Sequence, residues 1–320
     1  MTEKDQTPGS HGPTILVTGA AGGIGWTVTR LLRKRGCKVV ACDDYTTGTP
    51  RTDEPGVTWE HLDIADPSLP ERLSAYPIDA AVHCAARLAD RSMQEPSADV
   101  RTNCLGSMQV FEWCARKRVD RLLFLSSSAV YGEHPPQPIK ESDAVSAGTI
   151  YTASKLACEN FLMILEKGYD LSWTVLRLFP TYGGTHKASK TQGIVNVMLT
   201  QLLAGNEVIV KGSLERVRDL VYADDTARAI VESLFADSTR GRILNVGSGI
   251  GHTVRELIFL LAEALDKRPL DLHIQEMDGT PGDPRYNVAD VSAIREAIGF
   301  ELSFDLRAGI SRLVELRRAV

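Results

Sequence analysis

The sequence has no long apolar run, no basic cluster and no cysteine pattern, and each absence removes a class of protein. Its longest apolar stretches, such as 257–265, carry a charge or fall well short of the roughly 20 residues needed to cross a bilayer. Residues 1–13 are polar, rich in Gly and Pro and without an apolar h-region, so they read as a floppy leader rather than a signal peptide. The net charge is -5, and no run of Lys or Arg is long enough to follow a phosphate backbone, which argues against a nucleic-acid partner. The six cysteines (Cys37, Cys42, Cys84, Cys104, Cys114 and Cys158) include no Cys-x-x-Cys pair, and no His stands at zinc-finger spacing. Neither a metal site nor a disulfide framework is expected; with no export signal, the thiols read as reduced and buried, and the protein as cytoplasmic.

What remains is ordinary for a globular chain: 43% hydrophobic and 24% charged residues over 320 positions, enough for a substantial core. Short aliphatic runs recur at 14–18, 38–42, 80–83, 121–126 and 173–178, each suited to a strand buried on both faces. Between them, 27–35, 100–116 and 152–166 have helical spacing. Strand and helix in alternation predict an α/β fold with a doubly wound parallel sheet. After Phe179 the texture changes, with Gly, Thr, Ser and Lys crowded into 183–193 before a helical stretch at 194–204. This predicts a smaller α/β lobe interleaved with the first: 14–178 plus about 218–250 for the sheet domain, and about 179–217 plus 251–320 for the lobe.

Two motifs carry chemistry. The first is Gly19, Gly22, Gly23, Ile24 and Gly25, directly after the first strand and before a helix. Glycines there let the backbone turn sharply and approach a pyrophosphate, and the helix N-terminus presents free N–H groups to the anion. Alone, such a turn also serves purely structural ends. Asp43, 18 residues after Gly25 at the end of the second strand, strengthens the dinucleotide reading. A carboxylate there accepts from both ribose hydroxyls and repels a 2′-phosphate, which favours NAD over NADP. Asp63 and Ile64 end another strand, as adenine contacts or as a helix cap.

The second motif is Tyr151 and Lys155, which share one face of a helix. An ammonium near the phenol favours its ionised form. Bringing a phenol from roughly pH 10 to neutrality asks for about 4 kcal/mol, which a Lys and a cationic nicotinamide together can supply. The spacing arises often by chance; its place on a helix shortly after Ser126, Ser127 and Ser128, which close a strand, is what gives it weight. Ligands bind at such strand ends, and a Ser hydroxyl there can bond the oxygen from which Tyr151 removes a proton.

These residues resemble the extended short-chain dehydrogenase/reductase family, in its NAD-dependent sugar-nucleotide epimerase/dehydratase branch. The resemblance runs from Ile15 to about Leu316. It rests on the glycine turn, Asp43-Asp44-Tyr45-Thr46-Thr47-Gly48, His83-Cys84-Ala85-Ala86, Asn103, Ser126-Ser127-Ser128-Ala129-Val130-Tyr131-Gly132 and the Tyr151/Lys155 pair. It continues through Leu176-Arg177-Leu178-Phe179, Arg218-Asp219-Leu220-Val221-Tyr222 and Asn245-Val246-Gly247-Ser248-Gly249. The resemblance implies Ser127 as catalytic hydroxyl, Tyr151 as base, and Lys155 as the residue that lowers its pKa and holds the nicotinamide ribose. It places NAD along Gly19, Gly22, Gly23, Ile24, Gly25, Asp43, Asp44, Thr47, Gly48, Asp63, Ile64, Ala85, Ala86, Asn103, Ser126 and Phe179. Substrate contacts fall on Ser127, Ser128, Tyr151 and Arg218. It also implies a homodimer through helices near 100–116 and 152–166, served by Val110, Phe161 and Leu165.

The departures from the family pattern narrow the reaction. Members that eliminate water carry an Asp-Glu pair after the catalytic hydroxyl; here Ser128 and Ala129 stand there, which disfavours a 4,6-dehydratase. Pro180 replaces an Asn, and Thr280 replaces an Arg before Pro281-Gly282-Asp283, so the grip on a nucleotide diphosphate looks altered. Arg218 remains as one guanidinium suited to phosphate, with Lys187 and Lys190 either compensating or simply solvated. His83 reads as a core residue with satisfied hydrogen bonds, His134 and His186 carry no special role, and Cys84 is a buried thiol or one near the nicotinamide. The leading expectation is an NAD-dependent 4-epimerase of a nucleotide-linked sugar. A net oxidoreductase on a sugar nucleotide or smaller alcohol, and a silent dinucleotide sensor, are the alternatives.

Overall fold

Seven strands, five of them the apolar runs expected, pair in parallel into one sheet in the order β11-β6-β5-β4-β1-β2-β3. Its strands are β1 (Thr14–Thr18), β2 (Lys38–Asp43), β3 (Val57–His61), β4 (Ala80–His83), β5 (Arg121–Ser127), β6 (Trp173–Leu178) and β11 (Arg242–Val246). The computed structural model describes residues 12–49, 54–88, 92, 94–183, 193–279 and 282–318. The strand order reverses between β1 and β4, and that switch point opens a crevice at the carboxyl edge of the sheet.

Alternation along each strand feeds two separate apolar layers. Ile15, Val17, Val39, Ala41, Leu123 and Leu125 face one layer, which the helices Gly23–Lys34 and Ala223–Phe235 cover. Leu16, Val40, Cys42, Leu122 and Phe124 face the other, under the helices Ser107–Lys117 and Ile150–Tyr169. Burial on both faces is why these strands read as unbroken apolar runs. β3 escaped that reading, because Val57–His61 is a half-exposed edge strand with polar alternate positions.

A third apolar cluster forms the smaller lobe, from the helices Ile194–Ala204, Val254–Ala264 and Leu306–Arg318 with the paired strands β8 (Glu207–Lys211) and β13 (His273–Met277). The interleaving is finer than the sequence reading. Ala289, Val291, Ile294 and Phe300 pack in the sheet layer although they lie beyond 250, while Leu220 and Tyr222 pack in the lobe although they lie within 218–250. The physical cause is pairing: β10 (Val221–Tyr222) bonds β7 (Thr181–Tyr182), and β9 (Val217–Asp219) bonds β12 (Gly251–Thr253) and β14 (Tyr286–Asn287), so none of them joins the central sheet.

One buried carboxylate bridges these segments. Asp219, fully buried, accepts from Ser248 N at 2.6 Å, Ser248 Oγ at 2.6 Å, Gly249 N at 2.9 Å and Ala289 N at 3.1 Å. Replacing it leaves buried amides without acceptors, so Asp219→Ala should lower the unfolding free energy by about 3 kcal/mol or more. Urea denaturation measures this, and a loss under about 1 kcal/mol would contradict the assignment.

Candidate functional site

The glycine turn is shaped by backbone packed against backbone. A Cβ on Gly19, whose φ is +65°, would stand 2.7 Å from the Ala85 Cα, and one on Gly25 would stand 2.1 Å from the Gly19 carbonyl oxygen. The helix that follows starts at Gly23 with Gly22 as N-cap, no side-chain cap and no acidic residue in its first turn. Its N-terminal dipole and the first amides at Gly23 and Ile24 therefore suit an anion, while the Gly22 amide donates to Gly19 O at 3.2 Å. Gly48 lies against the same turn, where its Cβ would meet the Ala21 Cβ at 2.5 Å, and exposed Thr47 precedes it.

Asp43 ends β2 beside this turn and accepts from Ala21 N at 2.9 Å and Tyr45 N at 2.8 Å. Burial pushes its carboxyl up, and the two amides pull it down. A carboxylate has about four acceptor positions, so room remains for ribose hydroxyls. Asp44 is bonded to Thr46 N at 2.9 Å and Thr46 Oγ1 at 2.8 Å, which stiffens the loop toward Gly48. The donor set, the uncapped helix start and the Cβ-free cradle together fit a dinucleotide.

Several residues assigned to the cofactor are occupied by the protein. Asn103 is buried, with its oxygen accepting from Arg87 N at 2.8 Å and its nitrogen donating to Arg87 O at 3.1 Å and Asp99 Oδ1 at 3.0 Å. It holds the loop after β4, including Ala85 and Ala86, instead of offering its own amide. It sits on a π-helical turn, Val100–Gly106, inside the segment expected to be plain α-helix. Phe179 is 1% exposed and its N–H bonds Val246 O at 2.9 Å, so it presents neither an open ring face nor a free amide. Asp63 accepts from Ala65 N at 2.8 Å and pairs with Arg101 at 2.7 Å, a turn rather than a helix cap, and Ile64 is buried next to Gly106. His83 bonds Thr18 Oγ1 at 2.7 Å and Ser107 Oγ at 2.9 Å, and burial and Lys155 hold its imidazole down to about 3. Burial pushes the Cys84 thiol up to about 12.

Ser127, Tyr151 and Lys155, expected from the sequence as the catalytic set, lie close to one another. Ser127 closes β5, its hydroxyl accepting from Ala129 N at 3.2 Å, and it stands near enough to the Tyr151 phenol to act on its ionisation. Tyr151 stands in the first turn of the Ile150–Tyr169 helix, which begins at a Thr149 capping box. The electrostatics depart from the simple i, i+4 picture. Burial pushes the phenol up to about 12, the Ser127 hydroxyl pulls it down, and the Asp99 carboxylate pushes it further up. Lys155 does not offset this, because its buried Nζ donates to Leu125 O at 2.8 Å and lies 5.8 Å from the Tyr151 ring centre. Burial lowers the Lys155 pKa.

Below this set lies a buried ion pair that sequence reading missed. Arg177 meets Glu159 at 2.7 Å, and Glu159 accepts from Ser126 Oγ at 2.5 Å, so Ser126 supports the strand end. Arg177 was quoted in a motif, but nothing local pointed to Glu159, 18 residues away. Ser128 accepts from Asn287 Nδ2 at 3.0 Å and is buried, so it ties β5 to β14. Arg218 is bonded to Asp283 at 2.7 Å, and Arg216 pairs with the same carboxylate. Lys187, Lys190, His186 and Thr280 lie outside the described residues.

Comparison with known proteins agrees with this geometry. The UDP-glucose 4-epimerase of Mycolicibacterium smegmatis is 30% identical over 312 residues, covering 95% of this chain and 98% of its own. A solved UDP-glucose 4-epimerase of Thermotoga maritima, with UDP-glucose, is 30% identical with a TM-score of 0.90 over 96% of this chain and 99% of its own. The Thermus thermophilus UDP-glucose 4-epimerase in complex with NAD is 30% identical with a TM-score of 0.88, covering 96% and 100%. Residues 15–247 match the model of one family, a span that takes in the glycine turn, Ser127, Tyr151 and Lys155, and the chain accordingly belongs to the NAD dependent epimerase/dehydratase family.

Proposed function

We propose that the protein inverts C4 of a nucleotide-linked sugar through a transient 4-keto form. The observation that carries this is the Ser127 hydroxyl standing near the Tyr151 phenol, with no carboxyl group at 128 or 129 to drive an elimination. Gly22, Gly23, Ile24, Asp43 and Gly48 would hold NAD, which when bound supplies an acceptor and then a donor of hydride for the sugar carbon. Tyr151, as phenolate, takes the proton from the sugar 4-hydroxyl and returns it after the sugar has turned over. Ser127 donates to the same oxygen and keeps it aligned with the base. Lys155, whose Nζ donates to Leu125 O, would help to hold the nicotinamide ribose. Arg216 and Arg218 flank Asp283 at the lobe edge, and a diphosphate would compete there for the two guanidinium groups.

Native mass spectrometry should find NAD or NADH at near one per chain, and UDP-glucose should be converted to its C4 epimer without net cofactor reduction. Accumulation of NADH with an oxidised sugar would instead support a net oxidoreductase. Tyr151→Phe should lower kcat by roughly 100-fold or more while leaving NAD bound, because a general base is lost and the cradle is not. Activity should rise with pH as the phenol ionises, and a profile flat through the alkaline range would remove Tyr151 from the base role.

The same reading includes a homodimer. Val110, expected in the interface, is fully buried in the core. Val100 at 48%, Leu105 at 54% and Ile164 at 67% exposure, on the segments expected to pair, are the large apolar groups left open to water among the described residues, and Phe161 and Leu165 are partly buried. Ile164→Asp should yield a folded monomer at micromolar concentration by sedimentation. A dimer that persists would place the interface elsewhere.

A further inference from the structure

The catalytic helix is capped from outside its own chain segment. In a helix the first amides have no internal partner. Thr149 Oγ1 accepts from Thr152 N at 3.2 Å, but the Tyr151 amide instead donates to Ser92 Oγ at 2.8 Å, a residue 59 positions earlier. Ser92 is fully buried, and its hydroxyl proton goes to Asp99 Oδ2 at 2.7 Å. A hydroxyl has one proton, so giving it to Asp99 turns a lone pair toward the Tyr151 N–H. Asp99 is also fully buried, and its second oxygen accepts from Asn103, which in turn clamps both backbone atoms of Arg87 on the loop after β4. One carboxylate thus ties the Tyr151 end of the catalytic helix to the loop that flanks the cofactor cradle.

No cation hydrogen-bonds this carboxylate among the described residues. The charged groups around it are Arg87 on the β4 loop and Lys155 on the catalytic helix. Tyr151 faces Ser127 from the end of β5, Lys155 from its own helix and Asp99 from the Pro96–Asp99 helix. Cys84, Cys158 and Glu159 act on Lys155.

We propose that Asp99, acting through Ser92, is the positioning residue that seats Tyr151, and that its charge sets the pH range in which Tyr151 works. The inference rests on Tyr151 being the base. Removing the negative charge favours the phenolate. On NAD-loaded protein, ultraviolet difference titration of Asp99→Asn, with Tyr151→Phe subtracted to isolate the phenol, should show the Tyr151 transition moved to lower pH by about one unit. The acidic limb of kcat on UDP-glucose should move with it. Ser92→Ala keeps the charge and loses the cap, so the transition should stay in place while kcat falls by about tenfold or more and the Tyr151 amide exchanges faster.

A Tyr151 transition at the parental pH in Asp99→Asn overturns the electrostatic half of the proposal. Parental kcat and amide exchange in Ser92→Ala overturn the positioning half. If circular dichroism shows Asp99→Asn to be unfolded, Ser92→Ala decides alone. If the parent turns over no sugar nucleotide, the functional reading fails, while the phenol titration and the Tyr151 exchange rate still decide this one.

Discussion

A carboxylate taken out of water has to be hydrogen-bonded, and that constraint organises the carboxyl edge of the sheet. Asp43 gathers the glycine turn and the loop after β2. Asp99 gathers the segment at Ser92 and the π-helical turn at Asn103. Glu159 joins the catalytic helix to β5 through Ser126 and to β6 through Arg177. Asp219 joins β9 to the loop after β11 and to the strand-end segment at Ala289. Each anion is satisfied only when separate segments of the chain are in place together. Breaking one such bond set leaves buried partners unpaired, which costs more than the bonds contribute net.

The same burial sets the chemistry of the site. A phenol pushed up to about 12 is a weak acid and, once ionised, a strong base. Desolvation acts on Tyr151 and Lys155 in opposite directions, raising the first and lowering the second, because it penalises whichever form carries charge. Ser127 is the protein group that pulls the phenol back. The positive charge that balances Asp99 is shared between Arg87 and Lys155, neither of which touches it.

Much of the fold was legible in the residues. Three of the expected strands, 14–18, 80–83 and 173–178, match the observed bounds, because strands covered on both faces are marked by unbroken apolar runs. The helix at Ile194–Ala204 was equally plain. β3 was missed because an edge strand needs no such run, and the lobe boundary blurred because it depends on which layer Ala289 or Leu220 packs into. The grouping of Ser127, Tyr151 and Lys155 near the strand end was legible from spacing and position. The bonds that Asn103, Ser128 and Phe179 make were not, since each has a partner far along the chain: Arg87, Asn287 and Val246.

The sequence by itself determined the parallel sheet, the place of the glycine turn and the candidates for the reacting side chains, because periodicity, glycine spacing and residue chemistry are local properties. Only the tertiary structure decided which carboxylates face inward and what they hold. Asp99, Glu159 and Asp219 look like ordinary charged residues in the chain; enclosure by the fold, which denies them water, makes them the points on which the site is assembled.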